Sequence, residues 1–278
     1  MDATAPRTTG LAIPLLVLVS GIVATAGAFL GSGVLGGTPI AEAAGGWLNE
    51  DSTPLAPASG AFRIWSVIYL GLLAYSIWQL LPAQRRSDRQ RLLRPWAVAA
   101  MLLNAAWIWV VQFGWLNLSL VVIVALLAVL GRILMLLVRT ASEGRADALI
   151  TDGTFGLYLG WVTIATVANT SAVLGAAGFD GFGLPVTVLS SVVLAVAAII
   201  GVATAWRSGG KIAPALALTW GLAWITVGRL DGGLESTGTA VAAGVAAAVV
   251  LIAAVVFRVA AERRAEPAER AGRRRHGG

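Results

Sequence analysis

Residues 95–116 read PWAVAAMLLNAAWIWVVQFGWL, and this stretch decides the fold class. At ~1.5 Å per residue, an apolar helix of about 20 residues covers the ~30 Å hydrocarbon layer of a bilayer, so Pro95 to Gly114 can span it. Asn104 then falls near the middle. A carboxamide there costs roughly 1–3 kcal/mol unless it is hydrogen-bonded, so Asn104 must face a helix, a cavity or a ligand rather than lipid. Trp107 lies on the same face, three residues on. Trp96 and Trp115 sit at the two ends, where tryptophans anchor a span in the interface.

Composition extends this reading to the whole chain. Of 278 residues, 58% are hydrophobic and 12% charged, and mean hydropathy is +0.82, far outside the range of soluble domains. The expected fold class is all-α, a polytopic membrane helix bundle of about eight transmembrane helices. There is no cysteine, which removes thiolate metal sites, thioether haem attachment and cysteine nucleophiles. The only histidine is His276, near the end. No imidazole is therefore available within a span for metal ligation, haem coordination or proton shuttling. The formal charge of +6 arises mainly from short loops and the tail, so it reads as a topology signal and not as a nucleic-acid surface.

In chain order, Leu11 to Gly31 form a first apolar run, too long for the usual 7–15-residue core of a signal peptide and so read as a span. Gly27 and Gly31 make a GxxxG pair suited to close helix approach. Residues 32–60 form the longest loop, without Lys or Arg, read either as a lid or as surface disorder. The second span is Ala61 to Leu81, with Trp65, Tyr69, Leu72 and Ser76 on one stripe. It is followed by a cationic loop carrying Arg85, Arg86, Arg89, Arg91 and Arg94. A fourth span, Leu118 to Val138, carries Arg132 near its inner end, from where it can snorkel. Residues 139–153 read as a mixed-charge loop. The fifth span, Gly153 to Leu174, places Trp161, Ala165, Ala168 and Asn169 on one face. Pro185 to Trp206, Ile212 to Gly228 and Gly238 to Phe257 complete eight spans. The tail from residue 261 to 278, ending in Arg273, Arg274 and Arg275, reads as basic, disordered and cytoplasmic.

An even number of spans puts both termini on one side. Placing them in the cytoplasm puts all of the 20 Lys and Arg inside except Arg63 and Arg229. Trp65 and Tyr69 then lie in the outer half of the second span, Asn104 at the centre of the third, and Trp107 and Asn169 in the outer halves of the third and fifth. A pocket opening outward between these three spans, lined by flat aromatics and two amides, is the expected site.

Three segments resemble the TspO/MBR family of tryptophan-rich sensory proteins, relatives of the mitochondrial translocator protein: FRIWSVIYLGLLAY on the second span, LNAAW at 103–107, and WVTIATVAN at 161–169. The last is similar to the family's W-x-x-F-A-x-x-L-N, with Ile164 where the family prefers Phe and Ala168 where it has Leu. The resemblance covers residues ~11–175 and implies a five-helix unit over 1–175, a three-helix membrane extension over 176–260, and the tail. It implies a binding or sensory protein for a flat hydrophobic ligand, porphyrin or tetrapyrrole-like, held by Trp65, Asn104, Trp107, Trp161, Ala165 and Asn169; Tyr69 joins these ligand-binding candidates from its place on the Trp65 stripe in the outer half of the second span.

Two other functions stand beside this one: a facilitative transporter of a hydrophobic small molecule, and a light-dependent porphyrin-degrading protein. No Asp, Glu, Lys or His falls in the middle of any span, which argues against ion-coupled transport. No general acid, base or nucleophile constellation supports conventional catalysis, which favours a non-enzymatic role and leaves tryptophan photochemistry open; no cofactor is required, and a porphyrin is the expected ligand. Its expected partners are the lipid bilayer, a hydrophobic ligand such as a porphyrin, and a second copy in a homodimer. Its expected location is the plasma (inner) membrane, with both termini cytoplasmic.

Overall fold

A computed structural model describes residues 10–31, 38–231 and 233–276, with the side chains of Leu30, and of residue 265 onward, excepted. Arg7, residues 32–37 of the long loop, and the side chains of Arg273, Arg274 and Arg275 lie outside the described residues. The eight long helices are α1 (Ala12–Gly31), α2 (Ile64–Trp78), α3 (Asp88–Gln112), α4 (Leu116–Arg139), α5 (Thr154–Ala176), α6 (Val186–Arg207), α7 (Ile212–Leu230) and α8 (Thr237–His276). Each contributes to one of eight segments long and apolar enough to cross a membrane. The protein is an all-α integral membrane protein.

Its packing divides into two units. Among the described residues, the first holds the chain up to Gly46 together with Arg63–Phe155, and the second holds Trp47–Phe62 and the chain from Gly156 onward.

In the first unit, α1 packs on α2 and α3, and α3 on α4. The close approach of α1 is made at Gly21, where an added Cβ would fall 2.4 Å from Ser76 Oγ. Ser76 in turn donates to Leu72 O at 2.7 Å within α2, and reaches Val17 O of α1 at 3.4 Å. The expected pair of glycines does less. At Gly27 the nearest atoms would stand 3.9 Å from an added Cβ, an ordinary contact, and Gly31 is the last residue of α1.

Helix α3 begins seven residues earlier than the apolar run predicts. Ser87 caps it, accepting from Gln90 N at 3.2 Å, and Pro95 sits inside the helix. The cationic stretch read as a loop is therefore the short helix Pro82–Arg86 followed by the first two turns of α3. At the far end, Gly114 adopts φ +74°, which turns the chain directly into α4. Trp96 and Trp115 remain exposed at the two ends of the α3 region, as expected of anchors. Arg132 lies over the Trp96 ring, 5.6 Å from its centroid.

In the second unit, α8 packs on α6 and α7. Helix α5 meets α7 through small residues. An added Cβ at Gly160 would fall 2.1 Å from Pro214 O, and one at Gly221 would fall 2.3 Å from Ile164 Cγ2. Residues 47–58, part of the loop read as a lid or disorder, are folded in this unit, with Thr53, Leu55 and Ala56 buried. Ala58 N donates to Trp224 O at 3.1 Å, and Trp220 Nε1 donates to Ala61 O at 2.9 Å. Arg229 was expected in an outer loop. It occupies the last turn of α7, is buried, and donates to Thr53 O at 3.3 Å and Glu50 O at 2.7 Å.

The backbone of α8 stays helical through His276, over most of the stretch expected to be a disordered tail. Alanines and an Arg258 to Glu262 contact at 2.5 Å, spaced i to i+4, favour continuation of the helix.

Candidate functional site

The seven candidate residues divide between the units: Trp65, Tyr69, Asn104 and Trp107 belong to the first, and Trp161, Ala165 and Asn169 to the second.

In the first unit, α2 and α3 bring a flat aromatic pair and an amide together. Trp65 and Tyr69 are one helical turn apart on α2, so their rings can lie parallel; the centroids are 5.1 Å apart and the planes 18° from parallel. Tyr69 OH donates to Asn104 Oδ1 at 3.1 Å, and Nδ2 of the same amide lies 3.0 Å from the hydroxyl. Asn104 is 1% exposed. The demand that an amide at mid-span find a partner is met by a phenol from the neighbouring helix, which is the arrangement that avoids an unpaired polar group in hydrocarbon. Trp107, on the next turn of α3, is buried as well, whereas Trp65 and Tyr69 are half-buried. The stack thus keeps accessible aromatic surface beside a buried, hydrogen-bonded amide.

In the second unit, Trp161, Ala165 and Asn169 follow one another at four-residue intervals along α5. Trp161 and Asn169 are buried and Ala165 half-buried. The Trp161 ring meets Phe62 edge to face, with centroids 5.7 Å apart and an interplanar angle of 77°.

The first unit also holds a buried polar network that sequence reasoning passed over. Arg89 pairs with both Asp147 and Asp152, and its Nε donates to Thr140 Oγ1 at 3.2 Å. Asp147 also accepts from Gln90 Nε2 at 2.7 Å, Thr151 Oγ1 at 2.7 Å and Glu143 N at 3.0 Å. Gln79 Nε2 donates to Gln90 Oε1 at 3.0 Å. Arg94 donates to Gln79 Oε1 at 2.8 Å and Gln84 O at 2.6 Å. These residues lie where α2, α3 and a π-helical turn at Ala148–Gly153 come together. A signal existed. Traced back from Asn104 in steps of three and four, the buried face of α3 runs through Met101, Ala97, Arg94 and Gln90. Arg94 and Gln90 therefore continue the core stripe, even though they sit among charged neighbours.

The sequence model of the family described as TSPO-like protein matches residues 15–257. The chain belongs to the TSPO-like family. The match extends beyond residue 175, where the motif resemblance stops, and takes in the rest of the TSPO-like chain from α1 into α8. No curated protein and no solved structure matches it.

Proposed function

We propose that this TSPO-like membrane protein binds a flat hydrophobic ligand of the porphyrin type, and that Trp65, Tyr69, Asn104 and Trp107 of its first unit form the site. The observation that carries this reading is the Trp65–Tyr69 stack, with Asn104 bound to the phenol at its edge. A planar ring system gains from offset stacking on such a surface, and the buried amide holds the Tyr69 ring in place to present it. Trp161, Ala165 and Asn169 are separate candidates within the second unit. A porphyrin metal would find no cysteine anywhere, and no histidine other than His276, so the affinity rests on the ring faces and not on axial ligation. The orientation that fits this function places both termini in the cytoplasm of a cell bounded by the plasma membrane, because Arg86 and Arg91 are exposed beside the half-buried Arg85 and the buried Arg89 and Arg94.

The test is a comparison of variants in purified protein. Trp65→Ala removes the stacking face and should weaken protoporphyrin by about 1–2 kcal/mol, roughly 5- to 30-fold. Asn104→Leu should also weaken it, since it releases the Tyr69 ring from its hydrogen bond and loosens the stack. Unchanged affinity in both variants would remove the site from α2 and α3.

A further inference from the structure

The second unit carries an apolar groove that the proposed ligand site does not use. It lies on the face of α6 and α8, has a volume of about 510 Å³, and is walled by Ala198, Val202, Ala203 and Trp206 on one side and Val249 and Phe257 on the other. That volume is within the range of small-molecule sites, roughly 300–1,000 Å³. Along each wall the lining extends eight residues, about 12 Å of helix axis, which makes the groove a channel parallel to the helices and suited to a hydrocarbon chain.

One end of this channel is cationic. Arg207 directly follows Trp206, Arg258 directly follows Phe257, and both arginines are exposed. The two ends lie at one level, because the turn after α6 is pressed onto α8: an added Cβ at Gly210 would meet Arg258 N at 2.2 Å, and one at Gly209 would meet Ala261 Cβ at 3.8 Å. Across residues 198–211 and 249–264 the charged residues are Arg207, Lys211, Arg258, Arg263, Arg264 and, as sole acid, Glu262. Glu262 contacts Arg258 as an exposed pair, which neutralises little. Trp206 is 64% exposed at the same end, the position of a tryptophan at the lipid interface.

We propose that this groove is a binding site for one anionic phospholipid, with an acyl chain along α6 and α8 and the headgroup phosphate between Arg207 and Arg258. A neutral occupant would use the apolar walls and leave Arg207 unmatched and Arg258 with only its exposed contact to Glu262. A soluble anion would use the cations and leave the walls empty. An anionic lipid satisfies both, and arginine suits it because its planar fork binds two phosphate oxygens at once.

The experiment uses the full-length protein, delipidated in mild detergent, and counts retained lipid by native mass spectrometry. Phosphatidylglycerol is the probe, with phosphatidylcholine and inorganic phosphate as controls. The expected result is one tightly retained phosphatidylglycerol, with phosphatidylcholine held more weakly and no retained inorganic phosphate. Arg207→Gln and Arg258→Gln should each weaken retention about fivefold, the value of one cation near a headgroup. Ala203→Phe, which fills the groove, should abolish it. Should Ala203→Phe fail to fold, Val249→Phe obstructs the groove from the other wall. Equal retention of the two lipids, or loss in the arginine variants without loss in the groove-filling ones, overturns the proposal. The former would mean ordinary annular lipid, and the latter adsorption of a headgroup alone.

Discussion

Replacing Arg89 with Met tests whether the buried network holds the first unit together. Arg89 is 4% exposed, and its guanidinium meets two carboxylates and Thr140. Asp147 keeps Gln90, Thr151 and Glu143 N as donors, and Ser142 Oγ still donates to Asp152 at 2.9 Å. Breaking a buried ion pair by removing one partner costs about 3–5 kcal/mol. The donors left on the two carboxylates place the expected loss at the lower end, near ~3 kcal/mol. SDS-induced unfolding in mixed micelles, followed by tryptophan fluorescence, measures it. Adding Asp152→Asn to Arg89→Met should restore part of the loss, because the remaining charge mismatch is relieved. The wild-type value should change little between ~0.1 M and ~1 M salt, since buried pairs are weakly screened. A loss below about 1 kcal/mol in Arg89→Met, or a double variant weaker than the single one, would refute the argument that Arg89 neutralises these carboxylates.

Three further outcomes are expected. Tyr69→Phe strands the amide of Asn104 and should cost about 1–2 kcal/mol in the same unfolding assay; an unchanged midpoint would mean that Asn104 is satisfied elsewhere. Arg229→Gln removes the guanidinium that binds Glu50 O and Thr53 O, so residues 47–58 should become cleavable by subtilisin while α7 stays intact; resistance equal to wild type would show that Trp220 and Trp224 suffice. A cysteine at Glu42, which is exposed, should react with an impermeant maleimide from outside intact cells; labelling only after lysis would invert the assigned orientation.

The helices and their number were legible because a bilayer imposes length and apolarity on every span, and both can be counted along a chain. Asn104 was legible for a related reason. An amide within hydrocarbon must find a partner, although only the structure identifies it as Tyr69. What the sequence concealed was charge that the fold buries. Arg89 and Arg94 stand in a run of arginines, which reads as a loop facing water, and Asp147 and Asp152 stand in a short polar connection. Each looks solvated by itself. Their burial depends on Ser87 starting α3 early and on residues 140–153 folding back against α2 and α3, a pairing at a sequence distance of 58 residues for Arg89 and Asp147. Arg229 was hidden in the same way, because its partners are backbone carbonyls, which carry no sequence signature. The GxxxG motif marked Gly27 and Gly31, whereas contact is closest at Gly21, opposite a serine. Small size permits close approach, and the shape of the neighbouring helix decides where it occurs. The candidate site was legible in part. Stacking of Trp65 on Tyr69 follows from four-residue spacing, but the allotment of Trp161, Ala165 and Asn169 to another unit does not follow from periodicity.

The most direct measurement is a titration of protoporphyrin IX into the purified wild-type protein, read by quenching of tryptophan fluorescence and corrected with empty detergent micelles. The account predicts saturable quenching at one porphyrin per chain, with the same stoichiometry from the absorbance shift of the porphyrin. Quenching that rises without saturation, in proportion to porphyrin partitioned into empty micelles, would contradict it.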